Sequence, residues 1–125
     1  MNKIESTSID CLVGVIIKSI EGLEQYSEEL VIKTDKGCIK FYHDQDCCES
    51  VYIEDFELDN DLSGAKIISA EEVVSYDETG NYDSATWTFY KIETNKGGLF
   101  IRWLGESNGY YSESVDCIFT EIDND

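Results

Sequence analysis

One short segment of the chain concentrates the side chains that could do chemistry. It spans residues 42–55, reads YHDQDCCESVYIED, and contains His43, the single histidine of the sequence. Two carboxylates and two adjacent thiols follow the histidine: Asp44, Asp46, Cys47 and Cys48. A histidine beside carboxylates can serve as a general base or a metal ligand, and a nearby thiolate can serve as a nucleophile. One hypothesis is therefore a metal- or thiol-dependent enzyme centred on His43, Cys47 and Cys48.

The same segment also fits two readings without catalysis. Asp44, Gln45 and Asp46 follow a strand-like stretch, where such side chains often cap the backbone N–H groups of a turn. In an extended chain Cys47 and Cys48 point in opposite directions, so only one of them easily reaches a shared site. The segment could instead bind a ligand or a partner. The candidate binding residues in it are Tyr42, His43, Asp44, Asp46, Cys48 and Glu49.

A second candidate segment spans residues 102–114 and begins with Arg102, the single arginine. An arginine in an apolar strand needs a carboxylate partner, because an unpaired buried charge is costly. The carboxylates considered as partners are Asp44, Asp46, Glu49 and Glu106. Alternatively, Arg102 faces a pocket and receives a small anionic or nucleotide-like ligand. The residues proposed for that pocket are Tyr42, His43, Arg102, Tyr110 and Tyr111, with Glu106 and Asn108 as further candidate binding residues.

These segments must be positioned by β-strands. Proline is absent, and stretches rich in β-branched and aromatic residues alternate with turns rich in Gly, Asn and Asp. Two β-hairpins are expected, at about 30–42 and 86–104, because a glycine-containing turn separates two apolar arms in each. Further strands are expected at 12–20, 51–53 and 115–122.

The remaining stretches complete a single domain. Residues 57–64 predict a loop or a single helical turn, and residues 77–83 predict a loop. Residues 65–76 combine helix-favouring and strand-favouring residues, and we favour a strand with a bulge. The fold expected is mainly β, with α+β as an alternative: one domain over 1–125, an antiparallel sheet or sandwich, with flexible ends at 1–10 and 123–125.

Charge restricts the classes of partner. The chain of 125 residues has 27 Asp and Glu against 9 Lys and Arg, a formal net charge of −18. Three stretches contain acidic residues and no lysine or arginine: 41–65, 67–90 and 103–125. After Lys96 the one basic residue is Arg102. Such a surface argues against direct binding of nucleic acid or an anionic membrane, and it favours a protein with a basic surface.

Cysteine usage indicates the compartment. The chain has five cysteines and no C-x-x-C pair, and its N-terminus lacks the pattern of an export signal. We therefore expect free thiols in a reducing cytoplasm, without a disulfide framework, a structural zinc site or any other cofactor. The chain is expected to be a monomer or a homodimer.

Three motifs together resemble a known family. They are YHDQDCCESVYIED (42–55), TWTFYK (86–91) and IRWLGESNGYYSESVD (101–116). They are similar to a family of small proteins from bacteriophages, prophages and Gram-positive bacteria that is known as a domain of unknown function. The resemblance covers about Leu12 to Val115, and it implies an accessory protein of mobile elements acting in the bacterial host cytoplasm. It implies no reaction.

The function expected from these observations is non-enzymatic binding. In the context that the resemblance implies, the chain would be a phage or prophage accessory or counter-defence factor. Its acidic face would imitate the charge of nucleic acid and occupy a basic surface of a host or phage protein. The small-anion pocket and the enzyme centred on His43, Cys47 and Cys48 remain as alternatives.

Overall fold

The computed structural model describes residues 5–6, 9–78, 84–109 and 111–121, and these are mostly β-strand. Within those ranges the one helix is a short 3₁₀ helix at Ile9–Leu12. The mainly β, single-domain fold predicted from the sequence is confirmed. The strands are β1 (Glu5–Ser6), β2 (Ile17–Glu21), β3 (Glu29–Thr34), β4 (Gly37–Tyr42), β5 (Ser50–Leu58), β6 (Ile67–Glu78), β7 (Ser84–Thr94), β8 (Gly97–Ser107) and β9 (Asp116–Glu121).

The strands form two antiparallel sheets. The first has the order β1-β9-β4-β3-β2, and the second has the order β5-β8-β7-β6. The two predicted hairpins are present, as β3–β4 and β7–β8. Each enters its second strand through a glycine with positive φ, Gly37 at 153° and Gly97 at 145°. These are backbone conformations that glycine adopts at the lowest cost.

The two sheets pack face to face as a sandwich. Burial alternates along the central strands, as the two-residue period of a strand requires: in β7 every second residue from Thr86 to Thr94 is buried. One hydrophobic core contains residues of both sheets. The Phe41 ring of β4 contacts the Tyr90 ring of β7, with centroids 4.7 Å apart. The core therefore lies between the sheets.

Two predicted elements differ in detail from the structure. The strand expected over 12–20 is divided: the 3₁₀ helix ends at Leu12, a turn passes through Gly14 at φ 93°, and β2 begins at Ile17. Leu12 and Val15 are nevertheless buried in the core. The expectation of one continuous strand over 12–20 was wrong. The strand favoured at 65–76 is β6, with a register shift between Ile67 and Ser69.

Some predictions fall on residues outside the described ranges. Flexible ends were expected at 1–10 and 123–125, and most of these residues are outside the described ranges. The exceptions are Glu5–Ser6, which pairs with β9, and the start of the 3₁₀ helix at Ile9. The loop expected at 77–83 also lies largely outside those ranges, because β6 continues to Glu78. In the described part of the chain no helix has the length and apolar character needed to cross a membrane.

Strand β6 forms one edge of the second sheet. At its start, Ile67 bonds through its backbone to Gly14 and Val15, which cover the edge there. From Ser69 onward, β7 is its one hydrogen-bonded neighbour among the described strands. Several large apolar side chains of this strand are exposed, with exposed fractions of 54% for Val73, 41% for Val74 and 79% for Tyr76. The 3₁₀ helix at Ile9–Leu12 also packs against β6. Beyond these contacts β6 presents an unpaired strand edge, together with exposed apolar side chains.

Candidate functional site

The segment that follows β4 is organised around a buried carboxylate. Glu49 is 4% exposed. Its oxygens accept hydrogen bonds from the backbone N–H of Asp46 at 2.9 Å and of Cys47 at 2.8 Å. The Gln45 amide donates to the same carboxylate at 3.1 Å. Residues 43–49 are thus a turn closed on Glu49, with a side chain capping backbone donors as the sequence suggested, although the capping residue is Glu49 and not Asp44 or Asp46.

His43 is held between two hydrogen-bond acceptors. Its Nε2 lies 2.8 Å from the Glu49 carboxylate, and its Nδ1 lies 2.7 Å from the backbone oxygen of Ser114. A carboxylate and a carbonyl can only accept, so both contacts are hydrogen bonds when both ring nitrogens carry protons, and the geometry favours the positively charged imidazole. Burial lowers the pKa of His43, but the hydrogen bonds to Glu49 and Ser114 outweigh it and raise the pKa above 6.5. The His43 hydrogen bond lowers the pKa of Glu49 to about 2.

This geometry gives His43 a structural role. A doubly protonated imidazole has no lone pair with which to accept a proton or bind a metal ion. Within the described residues no group of three or more His, Cys, Asp or Glu side chains is placed to hold a metal ion. The arrangement therefore does not support a metal- or thiol-dependent enzyme centred on His43, Cys47 and Cys48. The pair instead ties the turn at 43–49 to the segment that precedes β9.

The cysteines depart from the expectation at one point. Cys47 and Cys48 form a disulfide with each other, whereas Cys11, Cys38 and Cys117 carry thiols. The expectation of five free thiols is therefore wrong for the adjacent pair, which lies exposed in the turn with its sulfurs side by side. Because the disulfide joins neighbouring residues, it connects no separate strands and is not a framework. Burial raises the pKa of the Cys117 thiol to about 11, which makes it a poor nucleophile.

Arg102 has carboxylate partners other than those expected. Its Nε donates to Glu54 at 2.6 Å, its terminal nitrogen also pairs with Glu54, and Asp55 lies 3.6 Å away. The expected partners Asp44, Asp46, Glu49 and Glu106 are wrong, because Asp55 is directly opposite Arg102 in the β5–β8 pairing and a bulge brings Glu54 beside it.

The guanidinium of Arg102 also lies over the Trp87 ring, 5.4 Å from its centroid. Together these contacts place Arg102 on the outer face of the second sheet, where it lines a depression with Phe89 and Phe100. The structure thus separates Arg102 from His43, which lies in the turn between the sheets. The anion pocket expected from Tyr42, His43, Arg102, Tyr110 and Tyr111 is not assembled around a free arginine.

The other candidate residues lie in several places. Tyr110 lies outside the described residues. Glu106 accepts a hydrogen bond from Tyr52 at 3.3 Å, across the β5–β8 pair, and Asn108 is exposed in the turn after β8. Tyr42 and Asp44 line a depression of about 290 Å³ beside β9, and Tyr111 lines a second depression of about 350 Å³. Tyr42, Asp44 and Tyr111 therefore belong to neighbouring surfaces.

These two depressions adjoin, because Glu72 and Val115 line both of them. We call the combined feature the acidic groove. One wall is the inward face of β6, and the other is the segment 111–118. Its lining residues are Tyr42, Asp44, Glu72, Val74, Tyr76, Ser84, Thr86, Thr88, Gly109, Tyr111, Ser112, Glu113, Ser114, Val115, Asp116, Cys117 and Ile118.

The second wall is fixed by another buried carboxylate. Glu113 is 7% exposed and accepts hydrogen bonds from the hydroxyls of Thr86 at 2.7 Å and Ser84 at 3.2 Å. The Ser107 hydroxyl also donates to it. Gly105 permits this close packing, since a Cβ at that position would collide with the backbone of Glu113. Three hydroxyls from β7 and β8 therefore hold the segment 111–115 against the second sheet.

The groove is predominantly acidic, although the charged His43 ring lies just outside its lining and interacts with Asp116. Its lining residues include the carboxylates Asp44, Glu72, Glu113 and Asp116, and no lysine, arginine or histidine. Many basic side chains elsewhere pair with carboxylates on the outside of the sheets. Such pairs are Lys33–Glu21 at 3.1 Å, Lys40–Glu29 at 3.3 Å and Lys91–Glu93 at 3.4 Å. Carboxylates on the outer faces are thus partly neutralised by lysines, whereas the carboxylates that line the groove have no lysine or arginine among their neighbours in the lining.

A buried polar group lies beside this groove. Tyr90 is 1% exposed, and its hydroxyl lies near the Glu72 carboxylate without a well-formed hydrogen bond to any described residue. Burial raises the pKa of Tyr90, and the nearby Glu72 carboxylate raises it further, followed by Cys117 and Asp116. The hydroxyl therefore lies next to residues that line the groove. A buried hydroxyl without a partner costs free energy, so it marks a place where a ligand group could contribute a hydrogen bond.

Sequence reasoning missed several residues of this groove. In the sequence Glu72 bears only on whether 65–76 is helix or strand, and no local pattern distinguishes Glu113 or Asp116 from the other acidic residues. The one available signal was the alternation of Glu72, Val74 and Tyr76, which places them on one face of a strand. The sequence does not show that this face of β6 is exposed, because its exposure depends on how the two sheets are placed relative to each other.

Comparisons with known proteins identify the family. No curated protein and no solved structure matches the chain significantly. A family model described as a domain of unknown function, DUF7448, matches residues 10–117. That match includes the turn at 43–49, the strands β2 to β8 and most of the acidic groove. The chain therefore belongs to the DUF7448 family of domains of unknown function.

Proposed function

We propose that this chain is a non-enzymatic binding protein that docks on a basic surface of another protein through its acidic groove. The observation that carries the proposal is the composition of the groove: four carboxylates and no basic side chain among its lining residues. A surface with an excess of charge of one sign attracts an oppositely charged partner and accelerates association. The same charge repels a small anionic ligand, so the groove does not favour the nucleotide-like alternative.

The resemblance described above suggests the biological setting of this proposal. In that setting the chain is an accessory or counter-defence factor of a phage or prophage, and it acts in the cytoplasm of the bacterial host. Its carboxylates take the place of nucleic-acid phosphates in a basic channel of a host protein. The net charge of −18 supports this, because it opposes binding to nucleic acid and favours binding to proteins that bind nucleic acid.

Affinity capture from a bacterial lysate identifies the partner, and charge reversal then tests the groove. Glu72→Lys and Asp116→Lys are expected to weaken binding of the purified partner at least about tenfold, because each replaces attraction by repulsion. Glu28→Lys is the matched control, since Glu28 is exposed just before β3 and its substitution changes the net charge equally. A partner without a basic surface, or equal weakening by Glu28→Lys, would contradict the proposal.

A further inference from the structure

We infer that the open edge of β6 binds an extended basic segment of the partner protein as an added β-strand, with its lysine or arginine side chains entering the acidic groove. This inference rests on the proposed function and specifies how the partner is held. Its first basis is the backbone of β6. Beyond Ser69 this strand pairs with β7 alone among the described strands, and the 3₁₀ helix Ile9–Leu12 packs against part of it. The unpaired edge beyond that contact is a template for pairing with another chain.

The register indicates which backbone groups are available. Ile67 directs its N–H and C=O away from β7, toward Val15 and Gly14. Backbone direction alternates along a strand, and the bulge between Ile67 and Ser69 adds one residue to that count. The residues that direct their backbone groups outward beyond the bulge are Ala70, Glu72, Val74 and Tyr76. An added strand would therefore pair with Glu72, Val74 and Tyr76.

The side chains of these same residues line the groove. Glu72, Val74 and Tyr76 lie opposite Tyr90, Thr88 and Thr86 in the β6–β7 register, on the face of the sheet that points inward. An added strand next to β6 would direct alternate side chains toward the groove. Lysine stems would then pack over Val74 and Tyr76, and an ammonium group beside Glu72 would approach Asp116 and the unpartnered Tyr90 hydroxyl.

Charge decides which chain occupies the edge. A second copy of this protein could pair its own β6 with the same edge. However, each copy carries a net charge of −18, and two acidic grooves would be brought together. A basic segment is attracted by the same charge that repels a second copy. The occupant is therefore an extended segment of a different protein, with basic residues at every second position.

A synthetic peptide tests this directly. The probe is a fluorescein-labelled peptide of about ten residues in which lysine and valine alternate, about the length of a long strand. It is expected to bind the wild-type protein, as measured by fluorescence anisotropy. The peptide in which glutamate replaces lysine should not bind. A lysine–valine peptide with every backbone nitrogen methylated should bind at least about tenfold more weakly, because it cannot donate to a strand edge.

A pair of protein variants isolates the backbone contribution. Val74→Pro removes one outward N–H, and proline is tolerated where a strand edge faces solvent. Val74→Thr keeps that N–H and a β-branched side chain. We expect Val74→Pro to weaken peptide binding at least about tenfold and Val74→Thr to change it less than about threefold. Circular dichroism checks that both variants are folded, and the methylated peptide gives the same test on unaltered protein.

The possible results separate the inference from the proposed function. If Glu72→Lys abolishes binding of the captured partner while Val74→Pro and Val74→Thr bind it equally, strand addition is wrong and the acidic groove remains the docking site. If neither Glu72→Lys nor Val74→Pro affects the partner, both are wrong. If sedimentation shows a wild-type dimer that Val74→Pro converts to a monomer, the occupant is a second copy and the inference is overturned. Failure of the wild-type protein to bind the lysine–valine peptide overturns it as well.

Discussion

At the scale of single residues, the His43–Glu49 pair links folding to pH. The pKa of His43 is raised above its ordinary 6.5, so its stabilisation is complete below pH 6.5 and disappears as the pH rises through the folded value. The pKa of Glu49 is lowered from 4.5 to about 2, so its stabilisation is complete above pH 4.5 and disappears as the pH falls toward 2. The pair therefore contributes most between pH 4.5 and pH 6.5.

Urea unfolding across this range tests the prediction. His43→Gln should be less stable than the wild type, and the difference in free energy of unfolding should shrink as the pH rises through the folded pKa of His43. Glu49→Gln should lose both the acid and the alkaline dependence, since it removes the partner of the imidazolium. Glu54→Gln is the control, because its partner Arg102 is partly exposed. A constant difference between His43→Gln and wild type at all pH values would refute the role assigned to the pair.

Tyr90 provides a second prediction at this scale. Its buried hydroxyl lies near Glu72 but makes no well-formed hydrogen bond among the described residues, so Tyr90→Phe should stabilise the fold by up to about 1 kcal/mol, because a poorly satisfied polar group is removed and the ring is kept. Thermal or urea unfolding measures this change. The same substitution should weaken binding of the lysine–valine peptide, since the ammonium loses an acceptor. A clear loss of stability would show that the hydroxyl already has a structural partner.

His43 and Arg102 could be singled out from the sequence, but their partners could not. His43 and Arg102 are each the single residue of their type in the chain, and both form buried or half-buried ion pairs. The partner of Arg102 depends on the register of β5 against β8 and on one bulge, and neither can be derived from spacing along the chain. A shift of the register by one residue would have reversed the face of every side chain involved.

At the scale of elements, the segment 111–115 depends on Glu113. Replacing Glu113 by alanine leaves the buried Thr86 hydroxyl without its acceptor, which should cost about 1–3 kcal/mol. Amide hydrogen exchange in 111–115 should accelerate, while the centre of β7 and β8 remains protected. Ser112→Ala is the control, because Ser112 is exposed in the same segment. Unchanged exchange in Glu113→Ala would show that the wall of the groove is held by other contacts.

The strands and turns also show how much of the secondary structure can be predicted from residue patterns. The two hairpins followed from apolar arms on either side of a glycine-containing turn, which is local information. The division of 12–20 into a 3₁₀ helix and β2 did not, because Leu12 and Val15 are buried by packing against the rest of the chain and not by strand alternation. The acidic groove cannot be derived from local patterns, because it forms where β6 and the distant segment 111–118 lie side by side.

At the scale of the whole molecule, the net charge acts on folding and on binding in opposite directions. The chain carries −18, and self-repulsion among these charges opposes the compact state. Raising NaCl from about 10 mM to about 1 M shortens the Debye length from about 30 Å to about 3 Å, so this repulsion is screened. The thermal midpoint of unfolding is therefore expected to rise with salt. The exposed ion pairs on the outer faces are screened too, but each contributes less than about 1 kcal/mol.

Binding should respond with the opposite sign. The same screening weakens attraction between the acidic groove and a basic segment, so affinity for the lysine–valine peptide should fall at least about tenfold over this range of salt. Glu28→Lys should raise the thermal midpoint at low salt, because it reduces the net charge, yet leave peptide affinity almost unchanged. Glu72→Lys should also reduce self-repulsion but abolish peptide binding. If the two reversals lower affinity equally, attraction arises from the charge of the whole molecule, and the groove has no special part in recognition.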